Sequence, residues 1–282
     1  MTEPFHKPEE DFEIKTYYGD FEDAISEIET FIDQSFPLIF IDPTGWTGYS
    51  FDKIKVLFDR PKCEVLINFM YDFVNRAASM NDEKTIASLN QILGGPNWQD
   101  RLDVRLPRGH AVEKLFRDSL RDAGSFDYVV STKIDRATTD RPHFYIAYGT
   151  KSRNGLETFR ETEYRAHRGH ARDRANAKER RREEKIGTRD LFQGVEADFQ
   201  EMGIDDIVAE QKVLATQDIL KALEDVGLDF FLVWTMVLQS YMLRVTNVKD
   251  ICVELAKAGK IENTWGGGNR KPRDNDLIGL KQ

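Results

Sequence analysis

A short apolar run that stops at an acid constrains the fold of this chain more than any other feature. Residues 38–41 are Leu, Ile and Phe only, and Asp42, Pro43, Gly45 and Trp46 follow closely. Such a run bounded by turn-forming residues is typical of a buried parallel strand. In open α/β sheets, ligands bind outside the carboxyl ends of the strands. The sequence therefore predicts a candidate site at Asp42, although a plain turn whose Asp caps the next helix fits the same residues.

Length, composition and cysteine content narrow the class of protein. With 282 residues, 40% of them apolar and 32% charged, the chain can form one large core and a smaller second domain. No apolar run approaches the roughly 18 residues that cross a bilayer, and the polar first residues do not resemble a signal peptide. Cys63 and Cys252 occupy positions typical of buried elements, which predicts two reduced core thiols. We therefore expect a cytoplasmic protein without membrane contact.

Charge is distributed unevenly along the chain. Residues 1–60 hold 14 acidic and 5 basic residues, a net charge of −9 that equals the charge of the whole chain. Residues 160–189 hold 11 basic and 6 acidic residues, a local charge of +5. Nucleic-acid backbones bind to clustered Lys and Arg, so the second segment permits such contact and the first opposes it. Arg180, Arg181 and Arg182 are the candidate contacts, although a solvated connecting helix accounts for the same pattern.

Residues 12–155 alternate between helix and strand patterns, which predicts an α/β domain. Strands are predicted at 37–41, 64–69, 126–134 and 142–150, and helices near 25–32, 51–58, 71–78, 82–93 and 111–123. The loop 135–141 is too short for a parallel crossover, so the last two strands should pair antiparallel. If the first two strands are parallel, Asn68 should line the same crevice as Asp42. The predicted fold is a partial doubly wound sheet.

The rest of the chain divides into a connector and a helical module. Residues 156–213 are predicted to form a basic helical connector, and residues 214–282 a separate domain. That domain has helical stripes, a helix over 248–257, and short strands near Ile261 and 277–280.

The loop between these two short strands is rich in glycine and basic residues. It contains three consecutive glycines and the cations Arg270, Lys271 and Arg273. Helices followed by a two-stranded ribbon with a basic tip are typical of winged-helix modules, in which the ribbon lies along the phosphate backbone and a helix enters the major groove. A packing or dimerisation module of the same fold is the alternative.

Several segments, in their order along the chain, resemble the three-Cys-motif partner protein (TcmP) family. They are Leu38 to Gly45, Val65 to Phe69, Asn75-Arg76, Phe144 to Lys151, Gly155-Leu156, Leu243 to Asn247, Ala258 to Ile261, Trp265, and Arg270 to Pro272. The resemblance spans about residues 12–280 and implies a methyltransferase-like Rossmann domain that works beside a radical-SAM protein bearing the three-cysteine motif. Family members also carry an N-terminal strand with a glycine-rich loop for S-adenosylmethionine. This sequence lacks that segment, so the resemblance implies the second half of the fold and no cofactor bound by this chain alone.

The turn after the first strand also resembles the Asp/Asn-Pro-Pro-aromatic turn of amine-directed base methyltransferases. In that turn the acid accepts a hydrogen bond from the exocyclic amine, and the aromatic ring stacks on a flipped base. Here the second proline is absent and the aromatic residue comes one place late. By this resemblance Asp42 is the catalytic residue, while Pro43 and Gly45 shape the turn. Either Trp46 or Tyr49 supplies the stacking face.

Three functions agree with these patterns. The first is a TcmP-like partner subunit, inactive alone, whose C-terminal module binds DNA or RNA. The second is an S-adenosylmethionine-dependent nucleic-acid base methyltransferase whose N-terminal part is missing, and the third is a protein-binding adaptor. His167 and His170 have no further acid or Cys to complete a ligand set, so no metal site is expected.

Overall fold

The computed structural model describes residues 13–43, 45, 48–77, 79–80, 82–135, 142–186, 195–266 and 270–281. The chain is mixed α/β and forms two compact units, residues 1–125 and residues 126–282. The division falls inside the predicted domain 12–155, just before its third strand.

Unit 1 alternates helices with two parallel strands. Its elements are α1 (Ile25–Ile32), β1 (Leu38–Ile41), α2 (Phe51–Phe58), β2 (Glu64–Phe69), α3 (Tyr71–Ala77), α4 (Glu83–Asn90), a 3-10 helix (Trp98–Arg101) and α5 (Arg108–Gly124). β1 and β2 run parallel, with Ile41 opposite Ile67. The predicted alternation is confirmed in this unit, where α2 provides the crossover that a parallel pair requires.

An aromatic cluster lies in the core of unit 1. The rings of Phe69 on β2 and Phe116 on α5 stack with their centroids 4.2 Å apart, and the ring of Phe51 on α2 lies 5.5 Å from Phe116. Such ring pairs stabilise a core beyond the area that they bury. α5 also approaches α3 closely, since a Cβ on Gly109 would lie 1.7 Å from the Tyr71 hydroxyl. A side chain at position 109 would therefore force Tyr71 to move.

β1 is not buried on both faces, and this corrects the prediction of a buried strand. Ile41 is buried, whereas Leu38 is 59% exposed and Phe40 is 61% exposed. Among the described strands, β1 lies at the end of its sheet and has β2 as its neighbour. The local pattern shows that the strand is apolar, but it does not show how many neighbours the strand has.

Unit 2 consists of an antiparallel hairpin, two long helices and a small helical module. Its elements are β3 (Tyr128–Asp135), β4 (Pro142–Thr150), α6 (Arg153–Ile186), α7 (Val195–Ala222), β5 (Leu228–Asp229), α8 (Phe230–Ser240), α9 (Val245–Lys257) and β6 (Leu277–Ile278). β3 and β4 pair antiparallel, which confirms the prediction from their short connection. β5 and β6 also pair antiparallel, and Ile261 forms an antiparallel bridge with Leu280. α6 and α7 pack on each other and on α8, so the segment predicted as a connector belongs to the body of unit 2.

The two cysteines behave as their sequence positions predict. Cys63 and Cys252 are both buried and reduced. Burial raises the pKa of the Cys252 thiol to about 12, because the apolar surroundings disfavour the thiolate. Cys252 therefore acts as a small core residue and not as a reactive thiol.

The helices of the two units differ widely in length and polarity. In the part of the chain that the structure describes, none is both long enough and apolar enough to span a lipid bilayer.

Candidate functional site

The parallel register of β1 and β2 brings two predicted site residues together. The side-chain N–H of Asn68 donates to Oδ1 of Asp42 over 2.6 Å. Asp42 is exposed, and Asn68 is half-buried. Parallel strands end at the same edge of a sheet, so the pairing of Ile41 with Ile67 places both side chains at that edge. This is the arrangement that the sequence predicts for a parallel pair.

Two oxygen atoms of the Asp42–Asn68 pair have no hydrogen-bond donor among the described residues. Asn68 Oδ1 is buried, and no group in the described residues donates a hydrogen bond to it. A buried carbonyl oxygen without a donor costs about 1–3 kcal/mol. The second carboxylate oxygen of Asp42 also has no donor among the described residues. The exposed carboxylate of Asp42 is therefore the group suited to accept a hydrogen bond from an amine or an amide.

The turn after β1 agrees only in part with its predicted role. Pro43 and Gly45 are half-buried between β1 and α2, and Trp46 lies outside the described residues. Tyr49 is only 2% exposed, and its ring meets the edge of Phe51 with the centroids 6.0 Å apart. Burial also raises the pKa of the Tyr49 phenol. Tyr49 is thus a core residue without an open face, which corrects the expectation that its ring stacks on a base.

The loop that precedes β6 presents three cations. Arg270, Lys271 and Arg273 are all exposed. The indole N–H of Trp265 donates to the backbone carbonyl of Arg270 over 2.8 Å. The Lys271 ammonium lies 2.5 Å from Oδ1 of Asp250 on α9. These two contacts tie Arg270 to Trp265 and Lys271 to α9.

A cavity of about 370 Å³ adjoins these cations. Trp265 and Asp276 complete its lining, together with Arg270, Lys271 and Arg273. Asp276 accepts a hydrogen bond from the backbone N–H of Arg273 over 2.6 Å and so shapes the turn. Three cations against one carboxylate give the lining a net charge of +2. A lining with this charge favours a phosphate-sized anion over a cation.

The three predicted arginines of α6 are also exposed. Arg180, Arg181 and Arg182 lie close to the carboxyl end of this helix of 34 residues. Consecutive residues of an α-helix point about 100° apart. The three side chains therefore cannot all face one ligand, and only some of them can contact the same nucleic-acid backbone.

Unit 2 also contains a polar pocket that the sequence reasoning missed. A cavity of about 620 Å³ is lined by side chains of β3, β4, α6 and α7. In its wall, Nε2 of His167 lies 2.7 Å from Oγ1 of Thr132. Burial lowers the pKa of His167, and the nearby Glu163 carboxylate opposes that shift only in part. His167 is therefore neutral at pH 7.

Two ion pairs contribute to the same wall. Nη1 of Arg160 lies 2.6 Å from Oε2 of Glu163, and the two side chains are only 4% and 3% exposed. Nε of Arg160 donates to the carbonyl of Leu238 in α8 over 2.7 Å. Lys133 and Asp135 form the second pair, with a separation of 3.3 Å. Each pair lies within one element, and only the hydrogen bond from Arg160 to Leu238 links α6 to α8. Because each of these two cations has its own carboxylate, the pairs leave no net charge of their own for a ligand.

The sequence does contain a signal for this pocket. Arg160, Glu163, His167 and Arg174 are three, four and seven residues apart, which places them on one face of α6. Sequence patterns assign such a polar face to solvent, because charged residues are seldom buried unless they are paired. Glu163 is the partner of Arg160 within α6, but Thr132 and the carbonyl of Leu238 lie on other elements, so the burial of this face depends on the tertiary structure.

Metal ligation is not favoured by these histidines. His167 and His170 both line the cavity of about 620 Å³, but Nε2 of His167 is engaged by Thr132. Within the described ranges, no group of three or more His, Cys, Asp or Glu side chains is arranged to hold a metal ion.

The chain matches no protein family, curated protein or solved structure with which it was compared. The resemblance to three-Cys-motif partner proteins therefore rests on the sequence segments named above.

Proposed function

We propose that this chain is a nucleic-acid-binding partner subunit of the three-Cys-motif partner type. In this proposal unit 1 is methyltransferase-like and inactive alone, and the end of unit 2 is a winged-helix module that contacts nucleic acid. One observation carries it: β5, β6 and the Ile261–Leu280 bridge form a ribbon whose loop displays three exposed cations.

The order of elements supports a winged-helix module. α7 is followed by β5, then by α8 and α9, and then by Ile261 and β6. Leu277 and Ile278 pair with β5, and Leu280 pairs with Ile261, so three short extended segments belong to one ribbon. In modules of this type the second of the two consecutive helices enters the major groove. α9 is the groove-facing helix in this proposal, and the loop before β6 lies along the phosphate backbone.

The loop cations differ in their readiness to bind phosphate. Lys271 is paired with Asp250 at 2.5 Å, so a phosphate must compete with a carboxylate for it. Arg270 and Arg273 have no carboxylate partner among the described residues. The guanidinium group forms bidentate hydrogen bonds with phosphate, which makes the two arginines the stronger contacts.

Fluorescence anisotropy tests the nucleic-acid proposal. The full chain is titrated into a labelled DNA duplex, and separately into a labelled single-stranded RNA, at salt concentrations between about 50 and 200 mM. Replacing Arg270, Lys271 and Arg273 together by Ala should weaken binding. The slope of log K against log salt should fall by up to about 2.7, roughly 0.9 for each phosphate that the loop no longer neutralises.

A matched control removes the same charge from unit 1. Lys55, Lys62 and Lys84 are exposed lysines there, and their triple Ala variant should bind as the unaltered chain does. If the loop variant and this control behave alike, the loop does not contact nucleic acid. An unaltered chain that binds neither DNA nor RNA would leave the protein-binding adaptor as the better function.

The end of β1 in unit 1 supports a second candidate function, the binding of a base amine as in base methyltransferases. The exposed carboxylate of Asp42, oriented by the 2.6 Å hydrogen bond from Asn68, favours it. An exocyclic amine would donate an N–H group to this carboxylate. Adenosine and inosine form a matched pair of probes, since inosine has a carbonyl in place of the amine. Calorimetric titration should show adenosine binding that Asp42→Ala removes, and equal binding of inosine would contradict this role.

Binding of S-adenosylmethionine by the described residues is not part of this proposal. Within residues 13–37 the structure has α1 and one glycine, Gly19, and no strand with a glycine-rich loop. A methyl donor needs such a loop because backbone N–H groups must approach it closely. In this proposal the described part of the chain supplies substrate binding, and the donor is held elsewhere.

The family resemblance also implies a protein partner, a radical-SAM protein with the three-cysteine motif. Its support is the ordered set of segments between Leu38 and Pro272. Coexpression with such a protein followed by size-exclusion chromatography tests this step. A stable complex is expected, and separate elution of the two chains would contradict it.

A further inference from the structure

The outer face of β1 is an apolar surface on an edge strand. Leu38 and Phe40 alternate with Ile39, so their side chains share one face, and they are 59% and 61% exposed. Phe36, two residues before Leu38, is 57% exposed. Single exposed apolar side chains are common on proteins, whereas a row of large ones marks a surface that another molecule covers.

The backbone of the same residues is open for pairing. The carbonyl of Pro37 accepts the N–H of Glu64 on β2 over 3.1 Å. Successive residues of a parallel strand turn their backbone groups to opposite sides, so Ile39 faces β2 while Leu38 and Phe40 face away from it. No described strand pairs with that outer side. The edge can therefore extend its ladder by one further strand.

Shortness is the one feature within β1 that usually protects an edge. Edge strands are shielded when they are very short, or by charged side chains, proline or bulges, which prevent pairing with other chains. Leu38–Ile41 is only four residues long, but it contains no charged residue and no proline, and its pairing with β2 is regular. The edge therefore remains open to one short partner strand.

The chain segment that contains β1 is acidic along the sequence, and Asp42 is exposed at the end of the strand. Residues 13–43, which contain α1 and β1, hold eight acidic residues and one basic residue, a net charge of −7. A second copy of the chain would bring the same acidic segment, and like charges oppose such a contact. A strand with basic flanks has the complementary charge.

We propose that the outer edge of β1 binds an apolar β-strand of a partner protein whose flanking residues are Lys or Arg. The backbone of Leu38 and Phe40 extends the sheet by strand addition, and their side chains are covered in the same step. This surface belongs to unit 1, so the inference stands whether or not unit 2 binds nucleic acid.

A fluorescent peptide of alternating Val and Thr, with two Lys at each end, serves as the probe. Anisotropy with the full chain should show saturable binding. Phe40→Lys adds a repelling charge and removes the apolar side chain, so it should weaken binding by roughly tenfold or more. Leu38→Lys is a second variant of the same face. Met80→Lys, at a side chain of unit 1 that is 54% exposed, is the matched control and should bind normally.

Three results would overturn the proposal. One is the absence of peptide binding, and another is equal binding of a peptide with Glu at both ends. The third is a dimer, seen by sedimentation, that Phe40→Lys abolishes, because a second copy would then be the occupant. The DNA titration of Phe40→Lys should match that of the unaltered chain, so failure of this inference is distinguishable from failure of the nucleic-acid proposal.

Discussion

The buried ion pair between Arg160 and Glu163 allows a quantitative test of how unit 2 is stabilised. The two charged groups are 2.6 Å apart, and their side chains are 4% and 3% exposed. Arg160 also donates to the carbonyl of Leu238, so its guanidinium is fixed in place. Glu163→Ala would leave that cation without its carboxylate and almost without water. We expect the free energy of unfolding to fall by about 3–5 kcal/mol, the cost of an uncompensated buried charge.

The same helix offers a matched pair at its surface. Arg165 and Glu161 are 3.0 Å apart, and their side chains are 74% and 36% exposed. Residue types and helix are the same as in the buried pair, although Glu161 also lies 3.9 Å from Arg244. Exposed pairs contribute about 0.2–1 kcal/mol. Arg165→Ala, which leaves the contact with Arg244 in place, should therefore lower the free energy of unfolding by no more than about 1 kcal/mol.

Urea unfolding followed by tryptophan fluorescence measures both pairs. Double-mutant cycles isolate the interaction energy of each pair from the other effects of the substitutions. Replacing Arg160 and Glu163 together by Leu should cost much less than Glu163→Ala, because no charge is then left buried. If the interaction energy of the buried pair does not exceed that of the exposed pair, burial does not set its strength and the reasoning fails.

Two further predictions concern His167 and two glycines. Burial lowers the pKa of His167 in the folded state, so the imidazole binds a proton more readily in the unfolded chain. The folded state therefore loses stability as pH falls below 6.5, the ordinary pKa of histidine. The urea midpoint should decline between about pH 7 and pH 5, and His167→Gln should flatten that decline. If the variant and the unaltered chain have the same pH profile, His167 does not cause the decline. Gly109→Ala should lower the free energy of unfolding by about 1–3 kcal/mol, because the new Cβ overlaps Tyr71. Gly169→Ala, which meets open space in α6, should raise it by up to about 1 kcal/mol, and equal effects of the two substitutions would contradict this difference.

The comparison of β1 with β2 shows which information a local sequence pattern contains. β2 spans Glu64–Phe69, the range predicted from the sequence, and Val65, Ile67 and Phe69 are buried in strict alternation. β1 was located with similar accuracy, yet Leu38 and Phe40 are exposed. Position along the chain follows from composition and turns, whereas burial depends on neighbours that are distant in sequence.

The candidate site also has features that the sequence predicts and features that it does not. Contact between Asp42 and Asn68 was predictable, because it follows from parallel pairing and from the strand ends alone. Burial of Tyr49 was not predictable, since it depends on packing against Phe51 and the core of unit 1. The pocket on α6 was harder still, because the carbonyl that holds Arg160 lies 78 residues further along the chain.

Charge decides which partner each proposed surface can attract. The whole chain has a net charge of −9, so at low ionic strength its field opposes the approach of nucleic acid. At physiological salt, charges further apart than about 8 Å are largely screened, and a local charge of +2 on the loop before β6 can then bind phosphate. The plot of log K against log salt should therefore be less steep at the lowest salt concentrations than at physiological salt. A basic strand bound at β1 would remove part of the opposing charge. It should strengthen DNA binding most at low salt, without any change in conformation.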